Sequence, residues 1–189
     1  VYVVRLKGHG TSPQNIQYIN NDDWYDSLQR GYCAMNRICS KIILIGFSTG
    51  GLLSLLACSK KPNDKIIAVI VINAALKLQD IRARLIVPGI TIWNDLLSKF
   101  KIQKAKLEYI ENNSENPSVN YSRNYLSGVN ELGKLMNKCH DSLHDIKNPA
   151  LIIYSKNDPV VDPSGSIVIN NIIKSDIKKL VGFDMDNHI

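Results

Sequence analysis

The sequence predicts an α/β fold: a mostly parallel sheet with helices on both faces, interrupted by a helical insertion. Three observations carry the prediction. Apolar, largely β-branched runs of strand length stand at residues 42–45, 66–72 and 150–154 of the 189-residue chain, as expected for strands covered on both faces. Helix-compatible stretches separate such runs, the alternation of a parallel sheet. Between residues 76 and 147 the texture changes, with no clean strand and apolar residues at helical spacing. The expected organisation is therefore a first part of the core at 1–75, a helical insertion at 76–147 and a second part of the core at 148–189.

In chain order, Val1 to Leu6 (VYVVRL) reads as a strand. Lys7 to Pro13 is a loop punctuated by two glycines and a proline. Asn21-Asp22-Asp23 offers caps for a helix from about Trp24 to Cys39. Lys41 to Ala57 reads as strand, tight turn and helix, and Ile66 to Ile72 as a further strand. In the insertion, Ile92, Trp93, Leu96, Leu97 and Phe100 recur at helical spacing. Glu111 to Tyr121 is polar and loop-like, and Leu126 to His144 reads as helix. Ala150 to Tyr154 is a strand, Pro163 to Ile173 a helix, and Ile177 to Phe183 a last, weaker strand.

Hydrophobic residues make up 44% and charged residues 21% of the chain, ordinary for a globular domain able to bury a core. The net charge of +6 is dispersed. Its densest group, Lys99, Lys101, Lys104 and Lys106, alternates with apolar residues, so it reads as a solvated helix face and not as a nucleic-acid surface. The four cysteines, Cys33, Cys39, Cys58 and Cys139, form no C-x-x-C pair and fit no zinc spacing; reduced thiols in the cytoplasm are expected. His140 and His144 are four apart, but no third ligand accompanies them, and no metal or cofactor is expected. No apolar run is long enough to span a bilayer. Oligomeric state is not legible.

The chemistry concentrates at Gly46-Phe47-Ser48-Thr49-Gly50. This is a G-x-S-x-G turn between a buried strand and an apolar helix, the setting in which a serine is lifted out as a nucleophile. Bulk two residues to either side would clash, so Gly46 and Gly50 are both expected to be sterically required. The backbone N–H of Thr49, at the helix N-terminus, is placed to meet an oxyanion. A seryl nucleophile needs a base, and the base an orienting acid. In parallel sheets such residues follow the C-terminal ends of strands, which selects Asp158 and His188, with Asp162 as the nearest substitute acid. His9 follows the first expected strand as well, and reads as a loop-shaping residue.

The order Ser48, Asp158, His188 resembles that of the α/β-hydrolases. Gly8-His9-Gly10-Thr11-Ser12, Trp24, the Ser48 turn, Asn157-Asp158-Pro159-Val160-Val161 and Asn187-His188-Ile189 are similar, in order and along the whole chain, to the esterase, monoacylglycerol lipase and serine aminopeptidase (S33) group. The resemblance implies a Ser48–Asp158–His188 triad cleaving a small ester or monoacyl lipid through an acyl-enzyme, with peptidase and thioesterase activities open to the same triad. It also implies that the insertion is a cap domain, with Phe47 and Trp93 as substrate-contact candidates; Trp93 and Phe100 also fit cap-to-core packing.

The chain departs from the group in two places. The group has strands ahead of the one expected at Val1 to Leu6, and a His-Gly type loop that gives a second oxyanion N–H; nothing here matches them. The helix after the catalytic histidine is absent too. Both ends read as cut, so a fragment of a longer hydrolase, catalytically impaired, is the alternative expectation. One oxyanion donor in place of two costs about 10²–10³ in rate.

Overall fold

The computed structural model describes residues 1–60, 65–80, 86–102, 105–111, 121–186 and 188. It divides into two compact units: Val1–Val4, Leu28–Gln79 and Leu135–Ile189 form the first, Arg5–Ser27 and Asp80–Lys134 the second.

The first unit is built on four parallel strands. These are β1 (Ile42–Phe47), β2 (Ile66–Ile72), β5 (Ala150–Ser155) and β6 (Lys178–Phe183), in that spatial order. Their ladders align Phe47 with Ile72, Ile72 with Ile153, and Ile153 with Val181. One transverse row thus marks the C-terminal end of the sheet. Helix α2 (Thr49–Lys60) packs on β1 and β2, and α5 (Ser164–Ile172) on β5 and β6. Helix α2 is apolar almost all round, and Gly51 to Cys58 are buried without a break, the pattern of a helix enclosed by core. Leu52, Leu53 and Leu55 are wholly inaccessible, as are Ile152, Ile169, Leu143 and Ile146. Each such leucine contributes roughly 1.5–3 kcal/mol relative to exposure.

The second unit holds a 3₁₀ turn (Pro13–Tyr18), helix α3 (Val87–Lys99) and a hairpin of β3 (Tyr109–Glu111) with β4 (Arg123–Tyr125). It also holds the first turns of α1 (Asn21–Ile38) and of α4 (Leu126–Ser142). The Asn21 backbone N–H and Nδ2 both donate to the Glu131 carboxylate, at 2.9 and 2.5 Å, and Lys134 Nζ donates to its other oxygen at 2.6 Å. A carboxylate on α4 therefore serves the unpaired donors at the start of α1. Tyr109 and Tyr125 meet across the hairpin as a tilted pair, ring centres 5.5 Å apart, with the Arg123 guanidinium 4.4 Å from the Tyr109 ring centre.

Two expectations need correcting. Val1 to Leu6 is not a strand. A strand exists only where a neighbour takes its hydrogen bonds, and among the described residues β1 pairs with β2 alone. Tyr2 and Val4 instead lie against Gly31 of α1, while Val1 and Val3 are exposed. The insertion, expected to lack strands, contains the β3–β4 hairpin. Most of the expected 111–121 loop, Lys104, Asn187 and Ile189 lie outside the described residues. No helix among the described residues is long and apolar enough to cross a membrane.

Candidate active site

Ser48 follows β1 directly and sits at φ 50°, a left-handed conformation that costs a non-glycine residue about 1–3 kcal/mol. The surroundings hold it there. Its N–H donates to the Ile72 carbonyl at 2.9 Å, and its carbonyl accepts from Gly51 N at 3.0 Å and Ala75 N at 3.3 Å. A Cβ on Gly46 would lie 2.2 Å from the Gly50 carbonyl oxygen, so only glycine fits at 46. Gly50 differs from expectation: a Cβ there meets nothing within 4 Å. The second close approach belongs to Gly51, whose added Cβ would be 2.9 Å from the Ala74 Cβ. Thr49 opens α2, where backbone N–H groups have no intrahelical acceptor.

Asp158 lies in the turn after β5 and is 2% exposed. Its Oδ1 accepts from the N–H groups of Val160 and Val161, both at 2.8 Å. Its Oδ2 is 2.6 Å from His188 Nδ1, and His188 Nε2 is 3.1 Å from Ser48 Oγ. The three residues, from loops after β1, β5 and β6, thus form one continuous hydrogen-bonded line. With Nδ1–H donated to Asp158, Nε2 is left to accept the hydroxyl proton, the tautomer that makes a serine nucleophilic. Asp162 plays no part in this line; its carboxylate accepts from Ser164 N at 2.8 Å.

Phe47 lies against His188, ring centres 4.9 Å apart, and Trp93 is carried by α3 in the second unit, 55% exposed. His9 packs edge-on to Trp24 at 6.0 Å. His140 and His144 are exposed beside Asp141 and Asp145. No group of three or more metal-ligating side chains occurs among the described residues.

Sequence reasoning assigned no role to Asn73. It is 8% exposed, at φ 44° directly after β2, and its Oδ1 accepts from Ser155 N at 2.7 Å. The signal was present: a polar residue one place beyond an unbroken apolar strand, where working residues gather in parallel sheets.

The family model described as serine aminopeptidase, S33, matches residues 1–188. The chain belongs to this hydrolase family. Its membership of the S33 family agrees with its likeness to a thermostable monoacylglycerol lipase of Bacillus sp. (strain H-257), 30% identical over 192 residues covering 100% of this chain and 71% of the lipase. Solved structures share the fold. A chain from a structural study of two metagenome-derived lipolytic enzymes, LipS and LipT, gives a TM-score of 0.79 at 23% identity, covering 97% of this chain and 71% of that one. The Paleococcus ferrophilus monoacylglycerol lipase gives 0.69 at 18% identity, covering 90% and 68%. The S33 protein described here is an α/β-hydrolase, and lipases and esterases are among its relatives.

Proposed function

We propose that this chain cleaves carboxylic esters, small esters or monoacyl lipids, through an acyl-enzyme. Ser48 Oγ attacks the ester carbonyl carbon as its proton passes to His188 Nε2. The Thr49 N–H stabilises the oxyanion. The C–O bond to the alcohol breaks, the alcohol leaves with the proton from His188, and water repeats the sequence to release the acid. Asp158 fixes the imidazole and steadies its positive form. Phe47, beside His188, and Trp93 contact substrate, and residues 76–147 serve as the cap. Four free cysteines fit a cytoplasmic setting.

The observation that carries this reading is the line from Ser48 through His188 to Asp158, at 3.1 and 2.6 Å. The likeness to a monoacylglycerol lipase favours an ester, and the family description keeps an aminopeptidase as the second reading. The test is intact-mass spectrometry after a fluorophosphonate probe, on the wild type and on Ser48→Ala. One adduct, lost in the variant, is expected; a folded wild type without adduct overturns the reading. Turnover of a monoacylglycerol against an aminoacyl anilide then separates lipase from peptidase.

A further inference from the structure

After β6, residues 184–186 and 188 lie outside any strand or helix, yet the His188 ring must sit within tenths of an ångström of two partners. The bonds to Ser48 and Asp158 fix only the imidazole ring. Something else has to fix the backbone on which the ring is mounted.

We propose that Asn73 and Ser155 are a positioning pair that sets this loop; the proposal rests on the triad reading above. Ser155, 4% exposed, stands at the end of β5. Its N–H donates to Asn73 Oδ1, and its Oγ donates to the Met185 carbonyl. Asn73 Nδ2 donates to the carbonyl of His188 itself at 3.5 Å, a long bond. The pair therefore grips the loop at two carbonyls, one three residues ahead of the base and one on the base. Asn73 is itself anchored, its N–H donating to the Ile153 carbonyl at 2.9 Å, and its neighbours Ile72 and Ala75 bond the Ser48 backbone. One short turn after β2 thereby ties together the mounts of nucleophile, acid and base.

Two further links join the same loops. Asn157 Nδ2 donates to Asp186 Oδ1 at 3.0 Å, and Lys156 pairs with Asp184 at 3.0 Å. Both are exposed and contribute little. The Asn73–Ser155 bond is buried, where a lost partner leaves an unsatisfied group. Neither residue touches the reacting atoms, so both act through His188. A displacement of about 1 Å in a catalytic group costs on the order of 10²-fold in rate.

Asn73→Gly keeps the left-handed backbone and removes the carboxamide; Ser155→Ala keeps the N–H and removes the hydroxyl. Three readouts are made on each: kcat and KM for an activated ester, the downfield proton resonance of the Asp158-bound imidazole N–H, and folded fraction by circular dichroism. Folded variants are expected to lose about 10- to 100-fold in kcat at unchanged KM, with the resonance shifted or lost. The double variant is expected to fall no further than the worse single, since one loop is released. Folded variants with wild-type kcat and an unaltered resonance overturn the proposal, as does a loss of kcat that follows the unfolded fraction alone. If the wild type has no Ser48-dependent turnover, the ester reading falls, and the pair still stands or falls on the resonance.

Discussion

The Asp158 carboxylate is engaged on both oxygens: two backbone N–H groups on one and the imidazole on the other. Asp158→Asn keeps the shape but places an amide opposite Nδ1, favouring the wrong tautomer. A fall in kcat of about 10⁴-fold is expected from steady-state ester hydrolysis, whereas Asp162→Asn, whose carboxylate instead accepts from Ser164 N, is expected to leave kcat near the wild-type value. The glycines of the turn divide by the same kind of local geometry. Gly46→Ala drives a Cβ into the Gly50 carbonyl and is expected to abolish the turn, seen as a lowered urea midpoint and no probe adduct. Gly50→Ala meets open space inside a helix and is expected to stabilise by about 0.5–1 kcal/mol, read from the same urea curves.

Helix α1 begins on a carboxylate supplied by α4. Burial would raise the Glu131 pKa, but the hydrogen bonds from Lys134 and Asn21 outweigh it and hold the group below the usual carboxylate range. Asp23 is lowered too, chiefly by its hydrogen bond from Lys7. Carboxyls that are more acidic folded than unfolded contribute stability that is complete above the ordinary range and lost as pH falls through their lowered values. The urea midpoint is therefore expected to drop on acidification below about pH 4, and Glu131→Gln to flatten that dependence. How far such elements can be read beforehand depends on what stabilises them. Strands β1, β2 and β5 are legible as apolar runs, but the expected cover on both faces fails for β1, where Ile43, Ile45 and Phe47 are exposed while Ile42 and Gly46 are buried. Val1 to Leu6 is similarly rich in β-branched residues but pairs with no strand among the described residues, and composition does not report pairing partners. The β3–β4 hairpin is three residues a side, with Arg123 and Asn124 in one strand, so no period of two emerges. Ser48, Asp158 and His188 are legible as polar residues just past strand ends. Asn73 stands at the same kind of position, but an asparagine after a strand is also an everyday turn former, and its bond to Ser155, 82 residues away, is written in no local pattern.

The row through Phe47, Ile72, Ile153 and Val181 is the reference from which the whole site is measured. Ser48 and Asn73 stand one residue beyond it; Asp158 and His188 stand on loops tied back to it. Thiol reactivity reports when that assembly opens. Burial pushes the Cys58 and Cys139 thiols up to about 12, while Cys33 is exposed. Titration with a chromogenic disulfide is expected to modify Cys33 promptly, and Cys58 and Cys139 only as denaturant unfolds the first unit. The separation of Ser48 and His188 along the chain has a consequence in time. Ser48 and His188 are 140 residues apart, so at about 5–20 residues per second a ribosome makes Ser48 roughly 7–28 s before His188. Throughout that interval the nascent chain carries Ser48 without the histidine of the proposed triad, and its hydroxyl is expected to stay inert to a fluorophosphonate probe.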